Sequence, residues 1–167
     1  MKRIVIGIAG ALALAGCGGA GSGVSSASAP SAAMYEESAD ASADVEAALA
    51  RAQASGKRVL LAMGANWCSD SRALAGWLES PRFQALIEDK YELVFVDIGA
   101  PGHGRGRNLD IAERYGLDSV AGLPNLLVLT PDGTLVNGES AKSWRNAEKR
   151  SGDAIYAELV ALADKPV

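Results

Sequence analysis

The chain has 167 residues, room for one ordinary domain, and 49% of them are hydrophobic while 22% are charged. Its 16 Lys and Arg face 20 Asp and Glu, a net charge of −4 at neutral pH, and no basic patch offers itself to nucleic acid. With 2 cysteines and 1 histidine there is no ligand set for a metal, and no cofactor-binding motif stands out.

The N-terminus does not read as part of the fold. Lys2-Arg3 is a short basic segment, and Ile4 to Ala15 is an uncharged apolar run of about a dozen residues, too short to span a bilayer comfortably. This is the shape of a secretory signal. It ends in Leu14-Ala15-Gly16-Cys17, which resembles the bacterial lipobox, where cleavage precedes an acylated cysteine. Residues 1–16 are thus expected as a lipoprotein signal peptide and Cys17 as the lipidation site. The resemblance implies a cell-envelope protein anchored through Cys17 and facing the periplasm. Gly18 in the next position points to the outer membrane in a Gram-negative host. Residues 17–43, after Cys17 almost entirely Gly, Ser and Ala, read as a flexible tether with a root-mean-square reach of roughly 28 Å.

From Asp44 the chain reads as a domain, 44–167. Val45, Ala48, Leu49 and Ala52 mark one helix face, ended by Gly56. Arg58 to Ala65 is the mostly apolar run of a strand covered on both faces. Helical spacing resumes from Ser69 to Glu79, with Leu74, Trp77 and Leu78 on the buried side. Ser80-Pro81 then starts a second helix, serine as N-cap and proline in the first turn. Tyr91 to Ile98 is a second strand, followed by a glycine-rich loop from Gly99 to Arg107 and a short helix from Asn108 to Tyr115. Asn125 to Leu129 is a third strand, Pro131-Asp132-Gly133 a turn, and Thr134-Leu135-Val136 a returning hairpin strand. A final helix carries Ile155, Leu159 and Leu162 on one face.

Trp67-Cys68-Ser69-Asp70-Ser71 sits at the first strand-to-helix junction. Once Cys17 is acylated, Cys68 is the one free thiol of an exported chain, so it either reacts or pairs with another molecule. At a helix N-terminus the free N–H groups and the macrodipole favour the thiolate, the nucleophilic form. Asp70 inside the motif opposes that charge and Arg72 partly offsets it. His103, in the loop Pro101 to Arg107, reads as a solvated loop residue, with a general base or an anion contact as alternatives.

Two separated segments resemble the thioredoxin family over roughly residues 44 to 165. One is the strand–Trp–Cys–x–x–x–helix stretch from Leu60 to Leu74. The other is Tyr115-Gly116-Leu117 followed by Gly122-Leu123-Pro124-Asn125 and then Asp132-Gly133. The resemblance implies an α/β thioredoxin-like three-layer fold, a central mixed sheet with helices on both faces. It also implies a cis Leu123–Pro124 bond lying against Cys68, with Leu123 and Pro124 contacting substrate, and Trp67 on the active-site surface. The chain departs from the family where redox members carry Cys-x-x-Cys, for Ser71 takes the second position. Ala62 stands where many thioredoxins bury an acid.

Cys68, Ser71, Trp67 and Asp70 are therefore the candidate catalytic residues. The expectation is one-thiol thiol–disulfide exchange, in which Cys68 forms a mixed disulfide that an external thiol resolves. The expected partners are protein or small-molecule thiols and disulfides, and the membrane through Cys17. The alternative is a redox-inactive thioredoxin-fold module that holds an extended peptide beside Pro124.

Overall fold

The computed structural model describes residues 29–167. The expected signal peptide and Cys17 lie outside the described residues, as does most of the expected tether. Among the described residues no helix is long and apolar enough to cross a membrane.

The elements run α1 (Ala41–Ser55), β1 (Arg58–Gly64), α2 (Ser69–Leu78), α3 (Pro81–Lys90), β2 (Tyr91–Asp97), β3 (Gly99–Ala100), β4 (Arg105–Gly106), α4 (Leu109–Arg114), β5 (Asn125–Leu129) and α5 (Gly152–Ala163). The main sheet has the order β2-β1-β5, with β1 parallel to β2 and antiparallel to β5. β1 is central, and apart from Arg58 its residues are all buried. Because side chains alternate along a strand, β1 supplies two cores. Val59, Leu61 and Met63 join Val45, Leu49 and Ala52 of α1 and Ile111 of α4. Leu60 and Ala62 join Leu74 and Leu78 of α2, Phe83 of α3, and Ile155 and Leu159 of α5. The result is three layers, helix–sheet–helix.

Two expectations need correction. The fold begins before residue 44. Asp40 caps α1 by accepting the Ala43 amide at 3.0 Å, and residues 30–37 lie along α2 as a strap instead of a free tether. The Ala32 amide donates to the Arg72 carbonyl at 3.0 Å, and Tyr35 exchanges two hydrogen bonds with the Asn66 side chain at 3.1 and 2.8 Å. The Tyr35 ring is 1% exposed and meets Phe95 edge-on. One aromatic anchor and paired backbone groups order a stretch whose small residues carry no periodic signal. Second, the Thr134–Val136 strand shrinks to a single bridge between Leu129 and Leu135. The Asn137 side chain takes over part of the pairing, accepting the Val128 amide at 2.8 Å and donating to the Leu126 carbonyl at 2.9 Å. A buried amide side chain can satisfy a strand edge as a backbone would.

Candidate functional site

Cys68 is the N-cap residue of α2, in extended backbone conformation at the end of the loop from β1. β1 ends at Gly64, Ala65 is buried, and the Cys68 amide donates back to the Ala65 carbonyl at 3.1 Å. The turn between strand and helix is thereby fixed. Arg72 closes it from the helix side, donating from Nη1 to the Asn66 carbonyl at 2.8 Å. Arg72 thus braces the turn that presents the thiol.

The Cys68 thiol is partly exposed and donates weakly to the Leu123 carbonyl at 3.8 Å. The Leu123–Pro124 bond is cis, and both residues are buried. The expected neighbours of the cysteine, separated by about half the domain in sequence, are therefore in place. Trp67 is 60% exposed and pinned at its edge, where Nε1 donates to the Gly99 carbonyl at 3.0 Å. An exposed indole whose only polar atom is engaged presents a flat apolar face beside the thiol.

Ser71 is fully buried one helical turn past Cys68, and its hydroxyl has no partner among the described residues. Residues three apart share a helix face, so Ser71 lies on the Cys68 side of α2. The spot is crowded. A Cβ on Gly64 would lie 2.7 Å from the Tyr35 hydroxyl and 2.8 Å from Ser71 Oγ. Tyr35 in turn donates its hydroxyl to the Ser71 carbonyl at 3.3 Å. Burial, followed by the nearby charges of Cys68 and Asp97, pushes the Tyr35 phenol far above its ordinary range. It is a neutral donor behind the turn that carries Cys68.

Asp70 is engaged elsewhere. Its carboxylate accepts the Glu148 amide at 2.9 Å and anchors the turn Ala147–Lys149 to the start of α2. That role was not legible in the motif, because Glu148 is far away in sequence. His103, expected in solvent, is exposed but lines a pocket of about 290 Å³ together with Cys68, Trp67 and Leu123. Tyr35 and His103 are the two residues sequence reasoning did not bring to this site. An aromatic alone in a Gly/Ser/Ala stretch was the available signal for the first. Among the described residues no cluster of His, Cys, Asp and Glu could hold a metal ion.

A family model described as Thioredoxin-like matches residues 40–131. The crystal structure of a disulphide isomerase from Xylella fastidiosa Temecula1 superposes with a TM-score of 0.72 at 34% identity, covering 80% of this chain and 98% of that one. A thioredoxin from Wuchereria bancrofti matches with a TM-score of 0.38 at 23% identity, over 67% of this chain and 86% of that one. Among curated proteins nothing matches. The family match, the isomerase likeness across nearly its whole length, and a cysteine at the helix start facing a cis-proline loop agree: the chain belongs to the thioredoxin-like family.

Proposed function

We propose that this protein catalyses thiol–disulfide exchange with Cys68 as its working thiol, anchored in the cell envelope through Cys17. The observation that carries the reading is the pairing of a partly exposed Cys68 at the N-cap of α2 with a buried Ser71 one turn later. The first position keeps the nucleophile. The second holds no thiol to expel a bound substrate. The likeness to a disulphide isomerase supports this reading, since isomerisation requires no net electron transfer.

In the proposed cycle the Cys68 thiolate attacks a substrate disulfide, and a mixed disulfide forms as the substrate bond breaks. Release requires a second nucleophile. It is either another thiol of the same substrate, which gives a rearranged disulfide, or a small external thiol. The exposed Trp67 face and the Leu123 carbonyl border the place where the substrate chain would lie. The test is reactivation of a protein with scrambled disulfides in a buffer containing a small thiol. Wild type is expected to accelerate recovery and Cys68→Ala to be inert. Binding of the scrambled protein with no acceleration would favour the peptide-holding alternative. For the anchor, Cys17→Ser is expected to move the protein from the membrane to the soluble fraction, and unchanged fractionation would contradict it.

A further inference from the structure

The glycine-rich loop beside the site is a built element. Gly99 and Ala100 pair antiparallel with Gly106 and Arg105, and a 3-10 turn, Pro101–His103, forms the tip. Gly99 has a φ of +61°, and a Cβ there would lie 2.4 Å from the Arg105 carbonyl oxygen, so the hairpin closes only on glycine. Beneath it Asp97, 4% exposed, accepts the Gly99 amide at 3.2 Å and Arg107 Nη1 at 3.0 Å. Asn108 donates its side-chain amide to the Asp97 carbonyl at 2.8 Å. The Trp67–Gly99 bond ties this hairpin to the residue before Cys68. Its tip therefore stands as a second wall of the site, opposite the Gly122-Leu123 segment, with a pocket of about 290 Å³ between them.

Of the residues lining that pocket, Cys68 and His103 alone carry titratable side chains; the rest are Trp, Pro, Ala, Leu or Gly. The charged groups around it lie outside the lining. Arg105 and Arg107 are on the hairpin, Asp97 is beneath it, and Glu37 of the strap pairs with Arg107 at 2.7 Å. Arg145 stands behind Gly122. An apolar pocket whose two titratable groups are a thiol and an imidazole suits proton exchange with sulfur at neutral pH.

We propose that His103 is a catalytic residue of this site, carrying the proton for the sulfur that leaves and the thiol that enters. The proposal rests on the thiol-exchange reading above. As the Cys68 thiolate attacks, the Cys68–substrate S–S bond forms, the substrate S–S bond breaks, and the departing thiolate takes a proton from the imidazolium. The neutral imidazole then takes a proton from a low-molecular-weight thiol. The resulting thiolate attacks the substrate sulfur of the mixed disulfide, a new S–S bond forms between them, and Cys68 leaves as the thiolate. One thiol enters and one leaves, so electrons and protons balance. This supplies locally the proton transfer that Ala62 cannot.

The experiment compares wild type with His103→Gln, which preserves size and hydrogen bonding at an exposed tip. A short peptide disulfide serves as substrate and 2-mercaptoethanol as the resolving thiol. Rates of mixed-disulfide formation and of its release are followed from about pH 5.5 to 8.5, across the ordinary imidazole range. The variant is expected to be slower by about tenfold and to lose an inflection that wild type shows within this range. Equal rates and profiles would overturn the role of His103. So would a slower variant that keeps the inflection, since His103 would then only shape the pocket. If wild type forms no mixed disulfide at all, the thiol-exchange reading fails together with this one.

Discussion

Ser71 is the residue on which the proposed one-thiol chemistry turns. Its hydroxyl is buried and unpartnered among the described residues, so Ser71→Ala is expected to change stability by no more than about 0.5 kcal/mol, as urea denaturation would report. Ser71→Cys is the more telling change. The helix places residues 68 and 71 on one face, and the variant should close an internal disulfide and reduce insulin. A Ser71→Cys protein that closes the disulfide yet reduces nothing would point to a site tuned for holding partners. Tyr35 makes a different contribution. Tyr35→Phe removes one buried hydrogen bond and should cost about 1 kcal/mol, whereas Tyr35→Ala opens a cavity and should cost about 3 kcal/mol or more. The placement of Trp67, Cys68 and Ser71 at a strand-to-helix junction was legible because its signal is local, a strand, a short motif and a helix in immediate succession. The partners of Tyr35 and His103 come from distant sequence, and neither residue type announces a site by itself.

Among the elements, the strap at 30–37 and the hairpin at 99–107 hold the turn around Cys68 from two sides. The strap was misread because its composition matches a flexible linker. What orders it is tertiary, the Asn66 side chain and the carbonyls of Ser71 and Arg72. The short strands β3 and β4 were hidden in the same way, because paired glycines leave no alternating pattern. The helices were more legible, since their apolar faces repeat at the helical period, and Gly56 and the Ser80-Pro81 pair mark boundaries directly. The hairpin also carries a pH dependence. Burial raises the Asp97 carboxyl above its ordinary range, with Arg107 acting in the opposite direction. A carboxyl held above its unfolded value contributes most when protonated, and that contribution is lost as pH rises through the folded value. Wild type should therefore lose stability relative to Asp97→Asn as pH rises through the acid range, read from urea midpoints at each pH. The opposite trend would mean that the pair with Arg107 outweighs burial.

On the scale of the whole molecule, the three layers follow from the strand patterns. β1 is apolar on both faces because helices cover both, and the sequence carries that as an uninterrupted run. The neighbours of β1 were available only through the resemblance to thioredoxins, since nothing local to Asn125–Leu129 dictates an antiparallel partner. Replacing Leu60, fully buried on the central strand, by Ala should cost about 2–5 kcal/mol and lower the thermal midpoint accordingly. The same architecture brings residue 68 to residue 123 and sets the N-terminal end of α2 against the Leu123 carbonyl. Under the proposed function this end of the molecule performs exchange with one thiol. Intact-mass measurement after incubation with a disulfide-linked pair of single-cysteine peptides, which leaves no second thiol on the adduct, is the direct test. A single peptide adduct on Cys68 is expected, stable when the excess peptide is removed and lost on addition of a small thiol, with none on Cys68→Ala. An absence of adduct on wild type, or an adduct that releases itself without added thiol, would contradict it.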